Sequence, residues 1–150
     1  MRRTLVTMTK LQHTQAPTTE AFLADAGPRL ADLCTACGAC FKACPMAVHV
    51  GLATADPVGI TQGLRELAQG KAGPEDTVKW AGACAKSGLC VAACPEQDKG
   101  LDAMLLVRIA RQQALVGTKQ LAGKRDPTAF PRVKTFARLQ LTDEELKKWL

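Results

Sequence analysis

Apolar residues recur at three- and four-residue steps along most of the chain, and the elements they predict are helices, an all-α architecture. Phe22, Leu23, Ala26 and Leu30 share one side of a helix opened by Thr18 or Thr19, with Glu20 in its first turn. Gly27-Pro28 is expected to kink or split that helix. From Pro45 to Ala55 there is no strong period, and the segment reads as a connector. Asp56-Pro57 supplies a cap and a first helical position. Val58, Ile60, Leu64, Leu67 and Ala68 then form an apolar face, and Gly70 is the stop. Pro74-Glu75-Asp76 opens a further helix carrying Val78 and Trp80. The longest clear helix spans 101–116. Leu101, Leu105, Ile109 and Leu115 lie near one side, widened by Met104, Leu106 and Val107, and Gly117 ends it. Thr118 to Phe130 reads as a linker around Gly123 and Asp126-Pro127. Thr142-Asp-Glu-Glu145 has the form of a capping box, starting a last helix with Leu146, Trp149 and Leu150 on one face, too short to stand alone.

The pattern divides the chain into a flexible tail at 1–16, a helical domain at 17–117 and an extension at 118–150. With 150 residues, 47% of them hydrophobic, the chain has enough material for one core. No apolar run approaches the roughly 18 residues of a membrane span. The net charge is +6, and from Lys99 onward eleven basic residues face five acidic ones, a surplus equal to the whole excess. The basic extension is therefore expected to meet an acidic partner surface. Nucleic acid fits poorly, since four Phe, two Trp and no Tyr leave little to stack on bases.

Seven cysteines change the picture from a plain helical domain to a metal protein. Cys34, Cys37, Cys40 and Cys44 precede Pro45 in the run C-x2-C-x2-C-x3-C-P, the spacing with which bacterial ferredoxins hold one iron–sulfur cube with three thiolates and reach a second cube with the fourth. Residues 81–95 repeat residues 31–45 with seven identities in fifteen positions, and a repeat of this kind implies two equivalent half-sites. Ser87 stands where Cys37 stands in the first copy. If the ferredoxin rule holds, Cys34, Cys37, Cys40 and Cys94 hold one 4Fe-4S cluster. Cys44, Cys84 and Cys90 then hold the other, as 3Fe-4S or as 4Fe-4S with Ser87 or water as the last ligand. A hydroxyl is a poor ligand for iron–sulfide chemistry beside thiolate, which favours 3Fe-4S.

Other uses of the cysteines fit less well. An odd count leaves one thiol out of any disulfide framework. The first ten residues lack an apolar core before a small-residue cleavage site, so reduced thiols and a cytoplasmic setting are expected. Zinc has no reason to require the C-x3-C-P ends. His13 and His49 match no metal or catalytic spacing, and His49 reads as solvent-exposed or backbone-bonded. Phosphate loops, flavin fingerprints and catalytic triads are absent from the sequence. Electron transfer without substrate chemistry of its own is expected.

The two runs, their helical connector and the helix after them resemble the alpha-helical ferredoxin fold over residues 20–117. That fold is shared by the C-type subunit of heterodisulfide reductase, the iron–sulfur halves of glycolate oxidase and the iron–sulfur subunit of succinate dehydrogenase. The tail from Pro131, with Phe136-Ala-Arg-Leu-Gln-Leu, is similar to the end of the C-type heterodisulfide reductase proteins. In that family both clusters are 4Fe-4S on eight cysteines, and Ser87 departs from it. The spacing of Cys84, Cys90 and Cys94 matches the 3Fe-4S run of succinate dehydrogenase. The resemblance implies an electron relay in an oxidoreductase complex, between a catalytic B-type subunit that handles thiols and disulfides and a flavin-bearing A-type subunit, with a sulfur-oxidising version of the complex as the suggested type. A stand-alone ferredoxin-type carrier is the alternative, and an iron–sulfur nucleic-acid-binding protein a more distant one.

Overall fold

The Thr18 side-chain oxygen accepts the Ala21 N–H at 3.1 Å and caps the first helix of the computed structural model, which describes residues 16–119 and 126–149. Helix α1 (Thr19–Leu33) runs unbroken through Pro28, so the expected split at Gly27-Pro28 does not occur. Pro28 removes one backbone N–H bond, but Leu23, Ala26, Leu30 and Ala31 are buried on both sides of it and the helix continues. Gly27 permits this packing, because a Cβ there would stand 2.1 Å from the Ala68 carbonyl oxygen.

The first cysteine run leads into two short helices, α2 (Ala39–Lys42) and α3 (Met46–His49). The second of these lies where a connector was expected. It is held by burial rather than by periodicity, with Met46, Ala47 and the following Leu52 all inside the core. Asp56 caps α4 (Pro57–Ala68) as anticipated, accepting the Val58 and Gly59 N–H groups at 3.3 and 2.9 Å. Ile60, Leu64, Leu67 and Ala68 are buried, whereas Val58 is 54% exposed. Val58 lies about 200° round the helix from Ile60, outside the core-facing stripe.

Helix α5 (Glu75–Gly82) precedes the second run, α6 (Leu89–Ala93) lies within it, and α7 (Ala103–Val116) follows. The Asp102 carboxylate caps α7 through the Leu105 N–H at 2.9 Å, and Gly117 ends it at φ 61°. Helix α4 sits at the centre, packed against α1, α5 and α7, while α2 and α6 meet each other. Leu30, Leu64, Leu106 and Ile109 are fully buried in this core, and each contributes about 1.5–3 kcal/mol by leaving water.

The extension holds a helix that periodicity missed, α8 (Ala129–Ala137), with Pro131 in its first turn. Asp126, read from sequence as part of a linker, is its anchor. Its carboxylate pairs with Arg111 of α7 and, at 3.4 Å, with Arg132 of α8, and it accepts the Thr128 N–H and hydroxyl at 2.9 and 2.6 Å. Burial pushes the Asp126 carboxyl up, but the Thr128 bonds and the Arg111 guanidinium outweigh it and hold the group below its ordinary value. Helix α8 meets α3 and leaves Phe130, Val133 and Phe136 exposed. In α9 (Asp143–Trp149) the expected capping box forms. The Thr142 N–H donates to Glu145 Oε2 at 2.8 Å and the Glu145 N–H to Thr142 Oγ1 at 3.4 Å.

Among the described residues there is no strand, and no helix is long and apolar enough to cross a membrane. The expectations for the tail at 1–15 with His13, for Gly123, for the Trp149 side chain and for Leu150 fall outside the described residues.

Candidate metal centre

Both cysteine runs use the same backbone device. Gly38 and Gly88 are the N-caps of α2 and α6, in left-handed conformation at φ 81° and 79°. Two positions earlier Ala36 and Lys86 are also left-handed, at φ 55° and 61°. This conformation is uncommon for residues with a Cβ. One pair of left-handed residues curls each loop, so that the side chains at 34, 37 and 40 line one cavity and those at 84, 87 and 90 another. Ser87 thus stands on the same backbone as Cys37.

The loops sort the cysteines crosswise. Cys34, Cys37, Cys40 and Cys94 line one cavity, walled by Leu64, Leu101 and Leu106. Cys44, Cys84, Cys90 and Ser87 line a second, walled by Met46, Trp80, Met104 and Val107. The last cysteine of each run therefore lies with the earlier cysteines of the other. Cys44 reaches across because the turn of α2 carries the chain away from its own loop.

Trp80 is 2% exposed and meets Phe41 edge-on, with ring centroids 5.3 Å apart. It fills the core and forms a wall of the second cavity at once. Both rings are buried, so neither offers a docking surface beside the cysteines. His49 is exposed, as read from sequence.

The thiols are set in a medium that disfavours free charge. Burial pushes the Cys40 thiol from 9.0 up to about 12, reinforced by the Cys34 and Cys90 thiols. Burial takes Cys90 to about 11, with Cys84 and Cys44 adding to it. Burial also raises Cys34 and Cys94; the Ala36 N–H, which donates to Cys34 Sγ at 3.4 Å, and then Arg65 pull Cys34 the other way. The mutual effects follow the crosswise sets, Cys94 feeling Cys37 and Cys90 feeling Cys44. The effect of Cys90 on Cys40 runs between the sets, so the two cavities adjoin where α2 meets α6.

Such thiols need a strongly positive centre to become thiolates. Among the described residues no three His, Cys, Asp or Glu side chains gather as a single metal ion requires, and a lone zinc would draw its thiolates to about 3.8 Å of one another. Four and three soft donors spread round two apolar-walled cavities fit a polynuclear iron–sulfide body.

Sequence reading missed Glu96, which is buried in the wall of the first cavity, and the left-handed residues Ala36 and Lys86. Glu96 had one available signal: it follows Cys94-Pro95 at the position that Met46 holds after Cys44-Pro45.

Comparison with curated proteins and with solved structures returns no match. Residues 30–101 match the family described as the 4Fe-4S dicluster domain. That match begins before Cys34, ends after Cys94 and takes in all seven cysteines and Ser87, so a ferredoxin-type 4Fe-4S dicluster domain is found in the helical core of this chain.

Proposed function

We propose that this chain is the electron-relay subunit of a heterodisulfide-reductase-like oxidoreductase complex. In this reading Cys34, Cys37, Cys40 and Cys94 hold a 4Fe-4S cluster, and Cys44, Cys84 and Cys90 hold a 3Fe-4S cluster beside Ser87. The clusters, when bound, supply one-electron chemistry at potentials set by their surroundings. The single observation that carries the proposal is the crosswise lining of two adjoining cavities. Each α2–α6 contact that brings the loops together shortens the path between the two thiol sets. Leu64, Leu101, Leu106 and Trp80 keep water from them, and Cys37, which is exposed, leaves the first set open to a partner.

The partners in this reading are a catalytic B-type protein acting on thiols and disulfides and a flavin-bearing A-type protein. Support comes from the resemblance at Pro131–Leu150 and from the extension itself, where exposed Phe130, Val133 and Phe136 lie among Lys134 and Arg138. An apolar stripe with a basic surround suits an acidic protein partner. Anaerobic isolation of the native protein tests the proposal. Co-elution with a flavoprotein and a thiol-handling protein is expected, with flavin reducing the clusters. A protein isolated alone, and reduced at equal rates by unrelated carriers, would indicate a stand-alone ferredoxin.

A further inference from the structure

The two halves of the repeat share a backbone but not a charge. After Cys44-Pro45 the chain places Met46, 1% exposed, in the wall of the second cavity; after Cys94-Pro95 it places Glu96, 9% exposed, in the wall of the first. In the loops, left-handed Ala36 belongs to the first run and left-handed Lys86, which lines the second cavity, to the second. At two symmetry-related positions, then, the first cavity carries the more negative group.

Taking the crosswise ligand sets above as its basis, we propose that Glu96 and Lys86 set the order of the two potentials: the first cluster is the low-potential donor and the second the high-potential acceptor. Reduction adds an electron, and a buried carboxylate in the wall opposes that addition because little solvent lies between to screen it. A cation near the second cluster favours it.

The neighbouring charges leave this order in place. Lys99 Nζ pairs with Glu96 Oε2 at 2.5 Å. Its side chain is 67% exposed against 11% for Glu96, so the ammonium is turned to solvent while the carboxylate faces inward. Thr35 Oγ1 donates to Glu96 Oε1 at 3.4 Å from the first loop and fixes the carboxylate there. Arg65, whose Nε donates to the Ala31 carbonyl at 3.0 Å, acts on Cys34 and works against Glu96. Glu96 also acts on Cys94 itself, where burial, opposed by the Glu96 backbone N–H, and then the Cys37 thiol and the Glu96 carboxylate affect the thiol.

Potentiometric titration of the cluster-loaded protein, followed by EPR with iron analysis in parallel, tests the assignment. Glu96→Gln is expected to raise the lower of the two midpoints and leave the upper one in place, shifting the electron partition between clusters on the order of tenfold, about 59 mV for one electron. Lys99→Ala, at an exposed site, is expected to lower the same midpoint. Lys86→Ala copies the residue that its repeat mate Ala36 already places on this backbone. It is expected to lower the upper midpoint by less, and the effect should fade with salt. A merely structural role for Glu96 would not move its midpoint oppositely to Lys99→Ala. Intact iron content with unmoved midpoints, or Glu96→Gln acting on the upper midpoint, would overturn the charge assignment and leave the cluster reading standing. A loaded protein with only one redox centre would overturn both. Should Glu96→Gln fail to load, the two lysine variants decide.

Discussion

Ala36 and Lys86, fifty residues apart, occupy the same left-handed backbone conformation, φ 55° and 61°, each two residues after the first cysteine of its run. The match extends to Gly38 and Gly88, so the exchange of Cys37 for Ser87 is a change of donor atom on a kept frame.

Cluster content follows from that exchange. Anaerobically prepared protein is expected to hold about seven irons per chain, and to show as isolated the EPR signal of an oxidised 3Fe-4S centre. Ser87→Cys is expected to bring the count to about eight and to convert the signal to 4Fe-4S. Two 4Fe-4S signals in the unaltered protein would make Ser87 a ligand instead.

Exchange of the last cysteine of either run tests the crossing. Cys94→Ser is expected to damage the cluster at Cys34, Cys37 and Cys40, and Cys44→Ser the one at Cys84 and Cys90, as read by EPR. Damage confined to the run that carries the substitution would refute the crosswise sets.

The two capping glycines differ in what surrounds them. A Cβ on Gly88 meets nothing within 4 Å, while one on Gly38 would lie 2.6 Å from Pro57 Cβ and 3.0 Å from its carbonyl carbon. Gly88→Ala is expected to cost about 1–2 kcal/mol, the penalty of left-handed backbone. Gly38→Ala carries the same penalty plus about 1–3 kcal/mol for overlap against α4. Thermal unfolding of the two variants side by side measures the difference.

Raised thiol values make the metal-free chain sensitive to alkali. Cys40 and Cys90 stay protonated in the fold up to about 12 and about 11, while the unfolded chain ionises from 9.0. The unfolded state therefore binds fewer protons across this window, and the stabilisation present below pH 9.0 is lost as pH rises toward those values. The melting temperature of the metal-free protein is expected to fall between pH 9 and about 12, and that of the loaded protein to fall less. The chain contains no tyrosine, so thiolate absorbance reports the titration directly.

The extension is expected to be separable from the metal centre. Removing 131–150 should leave both clusters in place and abolish electron transfer from the proposed flavin-bearing partner; full turnover by the shortened chain would show that docking lies elsewhere. Asp126→Asn, which loosens α8 from α7 at a cost of about 1–3 kcal/mol, is expected to weaken the same interaction without loss of iron.

The helices with strong caps were legible in the residues. Thr18, Asp56 and Gly117 act as read, because a cap and its N–H partners lie within a few residues of each other. The split expected at Gly27-Pro28 is absent, and the contact beside it, Gly27 against Ala68, is 41 residues away. Helix α8 was invisible for the same reason: its anchor joins Asp126 to Arg111 across a helix boundary. The crosswise lining of the two cavities matches the expectation from spacing, since ligand spacing is local chemistry repeated. Glu96 was not, because a charge in a wall has no period and only the fold shows which wall it enters.

The crossed lining of the two cavities also bears on synthesis of the chain. Because the first cavity needs Cys94, the first three cysteines leave the ribosome long before their site exists. They wait as open thiols until the whole repeat has followed. With the proposed ligand sets, neither half is a module that can be loaded alone, so cofactor delivery waits for both runs, and a chain truncated before residue 94 offers no complete four-thiol cavity.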